Sequence, residues 1–125
     1  MTLINKHIVA IDDTESIRTL LRVSLEAEGA TFEGAATASG GLALCETKNP
    51  DLVILDLGLP DHEGLDILPR LKKRANMPVI VVSVRNESES FKRAEELGAD
   101  AYITKPFNID NLLIIIEEKL KIKTA

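Results

Sequence analysis

The chain has 125 residues, 45% hydrophobic and 28% charged, with a net charge of −5, which suits one domain around one core and excludes a strongly basic nucleic-acid-binding surface. No apolar run approaches the length of a membrane span, and "MTLINKHIVAIDD" lacks the basic and apolar regions of a secretory signal. The single Cys45 excludes an internal disulfide and points to a reducing compartment, the cytoplasm.

In chain order, short apolar runs alternate with amphipathic stretches. "HIVAI" (His7 to Ile11) reads as a strand covered on both faces. Ile17, Leu20, Leu21 and Leu25 follow at helical spacing up to Gly29. "ATFEGAA" (Ala30 to Ala36) is a weaker strand at an edge, and a helix from Gly40 to Lys48 follows, its start weakened by Gly40 and Gly41. "DLVILD" is the third strand. Leu65, Leu68 and Leu71 mark the third helix, where Pro69 removes a backbone bond. The basic cluster Pro69 to Arg74 reads as its solvated end. "MPVIVVSV" (Met77 to Val84) is the fourth strand. Asn86 and Glu89 fit a capping box for a helix ending near Gly98. "DAYITKP" is the fifth strand, and the last helix runs from Asn108 to about Lys121. Five βα units predict an α/β fold with a doubly wound parallel sheet, whose ligands sit at the carboxyl ends of the strands.

Those ends carry the chemistry. The first strand ends in Asp12 and Asp13, the third in Asp56, the fourth in Ser83 and the fifth in Lys105. Three carboxylates in one crevice repel one another, and an all-oxygen set suits Mg²⁺ or Mn²⁺. A hydroxyl and an ammonium beside them suit a phosphoryl group, with Asp56 the best-placed acceptor for an aspartyl phosphate. His62, in the loop after Asp56, reads as an exposed loop histidine, and Cys45 as helix packing.

The Asp12–Asp13 pair, "VILDLGLPDHEG" around Asp56, "VIVVSV" with Ser83 and "GADAYITKPF" with Lys105 stand in an order that resembles the receiver domains of bacterial two-component response regulators. The likeness spans residues 1–125 as a single receiver domain. It implies the strand order 2-1-3-4-5 with five helices, Asp56 as phosphoacceptor, and Asp12, Asp13, Asp56 and the backbone carbonyl of Gly58 as Mg²⁺ (or Mn²⁺) ligands. It further implies that Ser83 hydrogen-bonds the phosphoryl group, Lys105 ion-pairs with it, and Tyr102 is the aromatic switch that turns inward with Ser83. The Lys105–Pro106 bond is expected to be cis. A histidine kinase or phosphotransfer protein would be the donor. The responding face would be the fourth helix, fifth strand and fifth helix. Its role would be signalling, with catalysis limited to its own phosphorylation and dephosphorylation.

Two departures from the family pattern stand out. Val84 occupies a place that is usually small and would crowd the path to the phosphoryl group. Ala101 and Ile115 replace an acid and an arginine that pair receivers by charge, while "LLIIIEE" (Leu112 to Glu118) is too apolar for one buried face. Leu112, Leu113 and Ile116 suit the core, leaving Ile114 and Ile115 as a contact patch for a homodimer or partner. Direct nucleic-acid or membrane binding by this domain is not expected. Rival readings are weaker. A metal-dependent phosphatase or phosphotransferase would want an acid where Gly58 stands, and a nucleotide binder would want a glycine-rich loop in place of "IDDTES". A receiver-like module that is never phosphorylated would not need the full set of acids, Ser83 and Lys105. Met1 and an end just past the last helix fit either a stand-alone receiver or a piece of a longer regulator or hybrid kinase.

Overall fold

Strand and helix periodicities meet in one architecture, which a computed structural model describes for residues 1–74 and 77–122. The elements are β1 (His7–Ile11), α1 (Glu15–Ala27), β2 (Thr31–Ala35), α2 (Ala38–Lys48), β3 (Leu52–Leu55), α3 (Gly64–Arg74), β4 (Val79–Ser83), α4 (Ser88–Glu96), β5 (Ala101–Thr104) and α5 (Ile109–Lys119). The five strands form one parallel sheet in the order β2-β1-β3-β4-β5, as expected.

The continuous apolar runs are explained by the two cores. Side chains alternate faces along a strand. Val9, Ile11, Val53, Leu55, Val79 and Val81 pack with α2, α3 and α4 on one face. Ile8, Ala10, Ile54, Ile80 and Val82 pack with α1 and α5 on the other. Cys45 is buried in the first core. The edges are β2 and β5, both less buried than the central strands.

Several local expectations need correction. The helix α2 starts at Ala38, two residues before the predicted Gly40. Its first turn is capped twice: Thr37 Oγ1 accepts from the N–H of Gly40, and the Asp61 carboxylate accepts from the N–H groups of Ala38 (2.8 Å) and Ser39 (3.0 Å). These caps offset the low helix propensity of the glycines. The same two N–H groups hold the Asp61 carboxyl well below the usual carboxylate range. Gly41 also has a packing reason, because a Cβ there would meet the Ile11 side chain at 2.4 Å.

The Asn86–Glu89 capping box does not form. Glu87 is the N-cap residue of α4 and makes no side-chain cap bond; its carboxylate accepts from the Ser90 hydroxyl instead. The helix starts late because Arg85 is held in the loop, its N–H on Ser83 Oγ and its carbonyl on the Tyr102 hydroxyl. The basic cluster is only partly a solvated end: Lys72 Nζ pairs with Asp100 (2.7 Å) and donates to the Met77 carbonyl (2.9 Å), while the Arg74 side chain lies outside the described residues. In α5, Leu112 and Ile116 are buried and Leu113 is partly buried. Ile114 is 58% exposed, but Ile115 packs against the second core. At 100° per residue Ile115 shares the face of Leu112, three residues before it, whereas Ile114 points away. Among the described residues no helix is long and apolar enough to cross a membrane.

Candidate functional site

The parallel ladder itself delivers the polar residues to one rim. Past the end of β1, the N–H of Asp12 donates to Ala35 O at 2.9 Å; past β3, the N–H of Asp56 donates to Ile11 O at 2.9 Å. The N–H of Lys105, past β5, donates to Ser83 O at 2.8 Å. β1, β3 and β5 therefore hand Asp12, Asp56 and Lys105 to one crevice with a fixed backbone. The Lys105–Pro106 bond is cis, as expected.

Asp12 is 2% exposed, Asp56 7% and Ser83 1%, while Asp13 is open to solvent. Burial of a carboxylate is tolerable only with partners. Lys105 Nζ lies 2.8 Å from Asp12 Oδ2 and 3.2 Å from Asp56 Oδ2. The remaining oxygens accept backbone N–H groups, Asp12 Oδ1 from Thr14 (2.9 Å) and Asp56 Oδ1 from Gly58 (3.3 Å). Burial draws the Lys105 ammonium toward neutrality, but the hydrogen bond it donates to Asp12 and the charges of Asp56 and Asp12 outweigh it, and its pKa is raised above the ordinary lysine value.

One oxygen from each of Asp12, Asp13 and Asp56 lies within 4.8 Å of the others. A hard divalent cation fits this set: the donors are all oxygen, they are anionic, and they converge. Thr14 is the N-cap residue of α1 but its side chain caps nothing, and Asp13 is exposed beside it.

The rim contains residues that sequence reasoning missed. An antiparallel bridge between Gly58 and Glu63 closes the β3–α3 loop. Arg85, after β4, reaches across and grips Glu63 with its two terminal guanidinium nitrogens, Nη1 at 2.7 Å and Nη2 at 2.8 Å, and Nη2 lies 3.4 Å from the Leu57 carbonyl. That grip lowers the Glu63 pKa. The Arg85 backbone engages both expected switch residues: its N–H donates to Ser83 Oγ (3.2 Å), and its carbonyl accepts from the Tyr102 hydroxyl (2.8 Å). The Tyr102 ring stands edge-on to Phe91, centroids 4.6 Å apart, and its burial raises the phenol pKa. The available signal for the Arg85–Glu63 pair was opposite charge in the loops after two neighbouring strands. His62 is exposed and lies beside Asp61, with Nδ1 3.3 Å from Oδ2, in keeping with a loop histidine.

Residues 8–117 match the model of the response regulator receiver domain family. The chain is 41% identical over 106 residues to the KDP operon transcriptional regulatory protein KdpE of Escherichia coli (strain K12), covering 85% of this chain and 47% of the relative. It is 40% identical over 118 residues to the transcriptional regulatory protein KdpE of Mycobacterium tuberculosis (strain CDC 1551 / Oshkosh), covering 94% of this chain and 52% of that one. The chain thus spans about half the length of these curated relatives. The crystal structure of a CheY-like response regulator receiver domain protein from Methanospirillum hungatei JF-1 superposes with a TM-score of 0.89 at 39% identity, covering 93% of this chain and 94% of that one.

Proposed function

Because the chain belongs to the response regulator receiver domain family, we propose that it is a phosphorylation-controlled signalling switch with Asp56 as the phosphoacceptor. The observation that carries this reading is the Lys105 ammonium bridging Asp12 and Asp56 within a triad of converging carboxylates. Residues 1–125 are read as a single receiver domain, working in the cytoplasm, where Cys45 stays a thiol.

An Asp56 oxygen attacks the phosphorus of a phosphohistidine on a histidine kinase or phosphotransfer protein. The phosphorus–nitrogen bond breaks, its electron pair stays on the leaving imidazole, and the new bond makes Asp56 an acyl phosphate. Asp12, Asp13, Asp56 and the Gly58 carbonyl would hold Mg²⁺ (or Mn²⁺), which supplies charge neutralisation for the phosphoryl oxygens when bound. Lys105 pairs with the same oxygens and Ser83 donates a hydrogen bond to them. Ser83 and Tyr102 then move inward and shift a pre-existing equilibrium of the α4–β5–α5 face toward an output partner or domain. On α5, Ile114 is the exposed apolar side chain offered to a partner or a second copy, with Ile115 partly buried behind it.

Incubation with acetyl phosphate and Mg²⁺, followed by intact mass, tests the reading. One phosphoryl adduct that fails to form in EDTA is expected, and an adduct indifferent to EDTA would remove the metal from the account. Val84, 71% exposed just past β4, follows Ser83 directly, and its γ-methyls are proposed to crowd the path of water to the phosphoryl group. Val84→Ala is therefore expected to speed loss of the phosphoryl group several-fold, followed as adduct decay after the donor is removed. An unchanged decay rate would contradict this role.

A further inference from the structure

We infer that Arg18 is a positioning residue for the metal site: its guanidinium ties down the peptide between Asp12 and Asp13 and so fixes where the Asp13 carboxylate stands. The inference rests on the Mg²⁺ reading above. Asp13 is exposed, and among the described residues its carboxylate has no hydrogen bond or ion pair. Its place among the three converging acids is therefore set by its backbone. Thr14 adds no hold, because its side chain caps nothing. Arg18 supplies one. Its Nη1 donates to the Asp12 carbonyl at 2.7 Å, and that carbonyl belongs to the peptide joining Asp12 to Asp13. Its own N–H donates to the Thr14 carbonyl at 3.2 Å. One residue thus grips the chain on both sides of Asp13. The sheet fixes the approach to it, with the Asp12 N–H on Ala35 O at 2.9 Å.

The sheet also makes room for this arm. Gly34 lies inside β2, where a glycine weakens a strand and marks the close approach of another group. Its φ lies outside the left-handed region, so the backbone itself does not call for glycine. A Cβ there would meet Arg18 Cδ at 3.0 Å and Cγ at 3.5 Å. The space left by the missing side chain is where the arginine stem passes on its way to Asp12. A carboxylate held in place binds a hard cation better than a loose one, because less freedom is lost on binding. The Arg18 charge works in the opposite direction, since a cation this close to the acids repels Mg²⁺. Tie and charge therefore predict opposite results when the guanidinium is removed.

Arg18→Met keeps most of the stem and removes the charge and the donors together. Titration of the folded, unphosphorylated chain with Mg²⁺, followed by the amide signals around Asp12, Asp13 and Asp56, reads the dissociation constant separately from stability. Loss of the tie is expected to weaken Mg²⁺ binding about tenfold, even though a repelling cation has gone. Tighter binding would make Arg18 no more than a repelling charge, and an unchanged constant would make it no more than a brace for the fold. Either result would overturn the inference. Gly34→Ala disturbs the same arm and leaves its charge in place. Its Cβ displaces the Arg18 stem by a few tenths of an ångström and is expected to weaken Mg²⁺ about threefold. In the Arg18→Met background Gly34→Ala should add nothing, because the bond it disturbs is already absent. Independent, additive losses would overturn the inference. A parent chain that binds no Mg²⁺ at these residues would sink the metal reading and this inference with it. A parent that binds, with variants that match it, would sink this inference alone.

Discussion

Replacing Gly64 with alanine is expected to cost the fold about 3 kcal/mol, near the upper end for overpacking. Gly64 is the buried first residue of α3. A Cβ there would sit 2.4 Å from the Leu57 Cα and 2.8 Å from the Asp56 carbonyl oxygen, both backbone atoms. A side chain can rotate away from such a clash, but backbone must shift, and here it is the backbone that carries Asp56. The variant should therefore lose phosphoryl acceptance along with stability. Gly58, six residues earlier in the same loop, is the control: a Cβ there meets nothing within 4 Å. Gly58→Ala should stay within about 0.5 kcal/mol of the parent. Urea unfolding of both variants checks the contrast, and equal midpoints would contradict the packing argument.

Replacing Lys105 with methionine is the second large effect. The ammonium is the only cation within bonding distance of the Asp12 and Asp56 carboxylates among the described residues, and both acids are buried. Removing it leaves two buried carboxylates facing each other, at a cost of about 2 kcal/mol near neutral pH, reduced from a fully buried case because the crevice opens to solvent. Millimolar Mg²⁺ should return more stability to the variant than to the parent, since it takes over the missing positive charge. The pH dependence has a definite sign. The Lys105 pKa is raised in the folded state, so its contribution is fully present below the unfolded lysine value of 10.5 and is lost as pH rises through the folded value. The parent should lose this increment in that alkaline window, and Lys105→Met should not. Thermal unfolding across pH, with and without Mg²⁺, reads both effects; parallel curves would contradict the pairing.

The fold was legible wherever a strand is covered on both faces. β1, β3 and β4 are continuous apolar runs because each alternate side chain meets a core, and their ends announce Asp12, Asp56 and Ser83 as polar residues with no core to face. What escaped the sequence depends on contacts between distant loops. Asp61 carries no local signal of its role, because only the fold sets it against the N-terminus of α2, 23 positions away in sequence from Ala38. Lys72 reads as a solvated helix end until Asp100 reaches it from beside β5. Arg85 and Glu63 are ordinary loop charges until β3 and β4 pair and bring their loops together. The capping box failed for the same reason, since the hold on Arg85 outweighs a local helix signal. Ile115 is only partly exposed, because the helical phase hidden within five consecutive apolar residues turns it toward the core on the side of Leu112.

The most direct test of the central claim is the site of the phosphoryl group. Wild-type protein and Asp56→Asn would be incubated with acetyl phosphate and Mg²⁺, and each would be read by intact mass and peptide mapping. The account predicts one adduct on wild type, stable in mild acid, labile in base and mapped to Asp56, with none on the variant. An equal adduct on Asp56→Asn, or none on wild type under conditions that label another receiver, would contradict it.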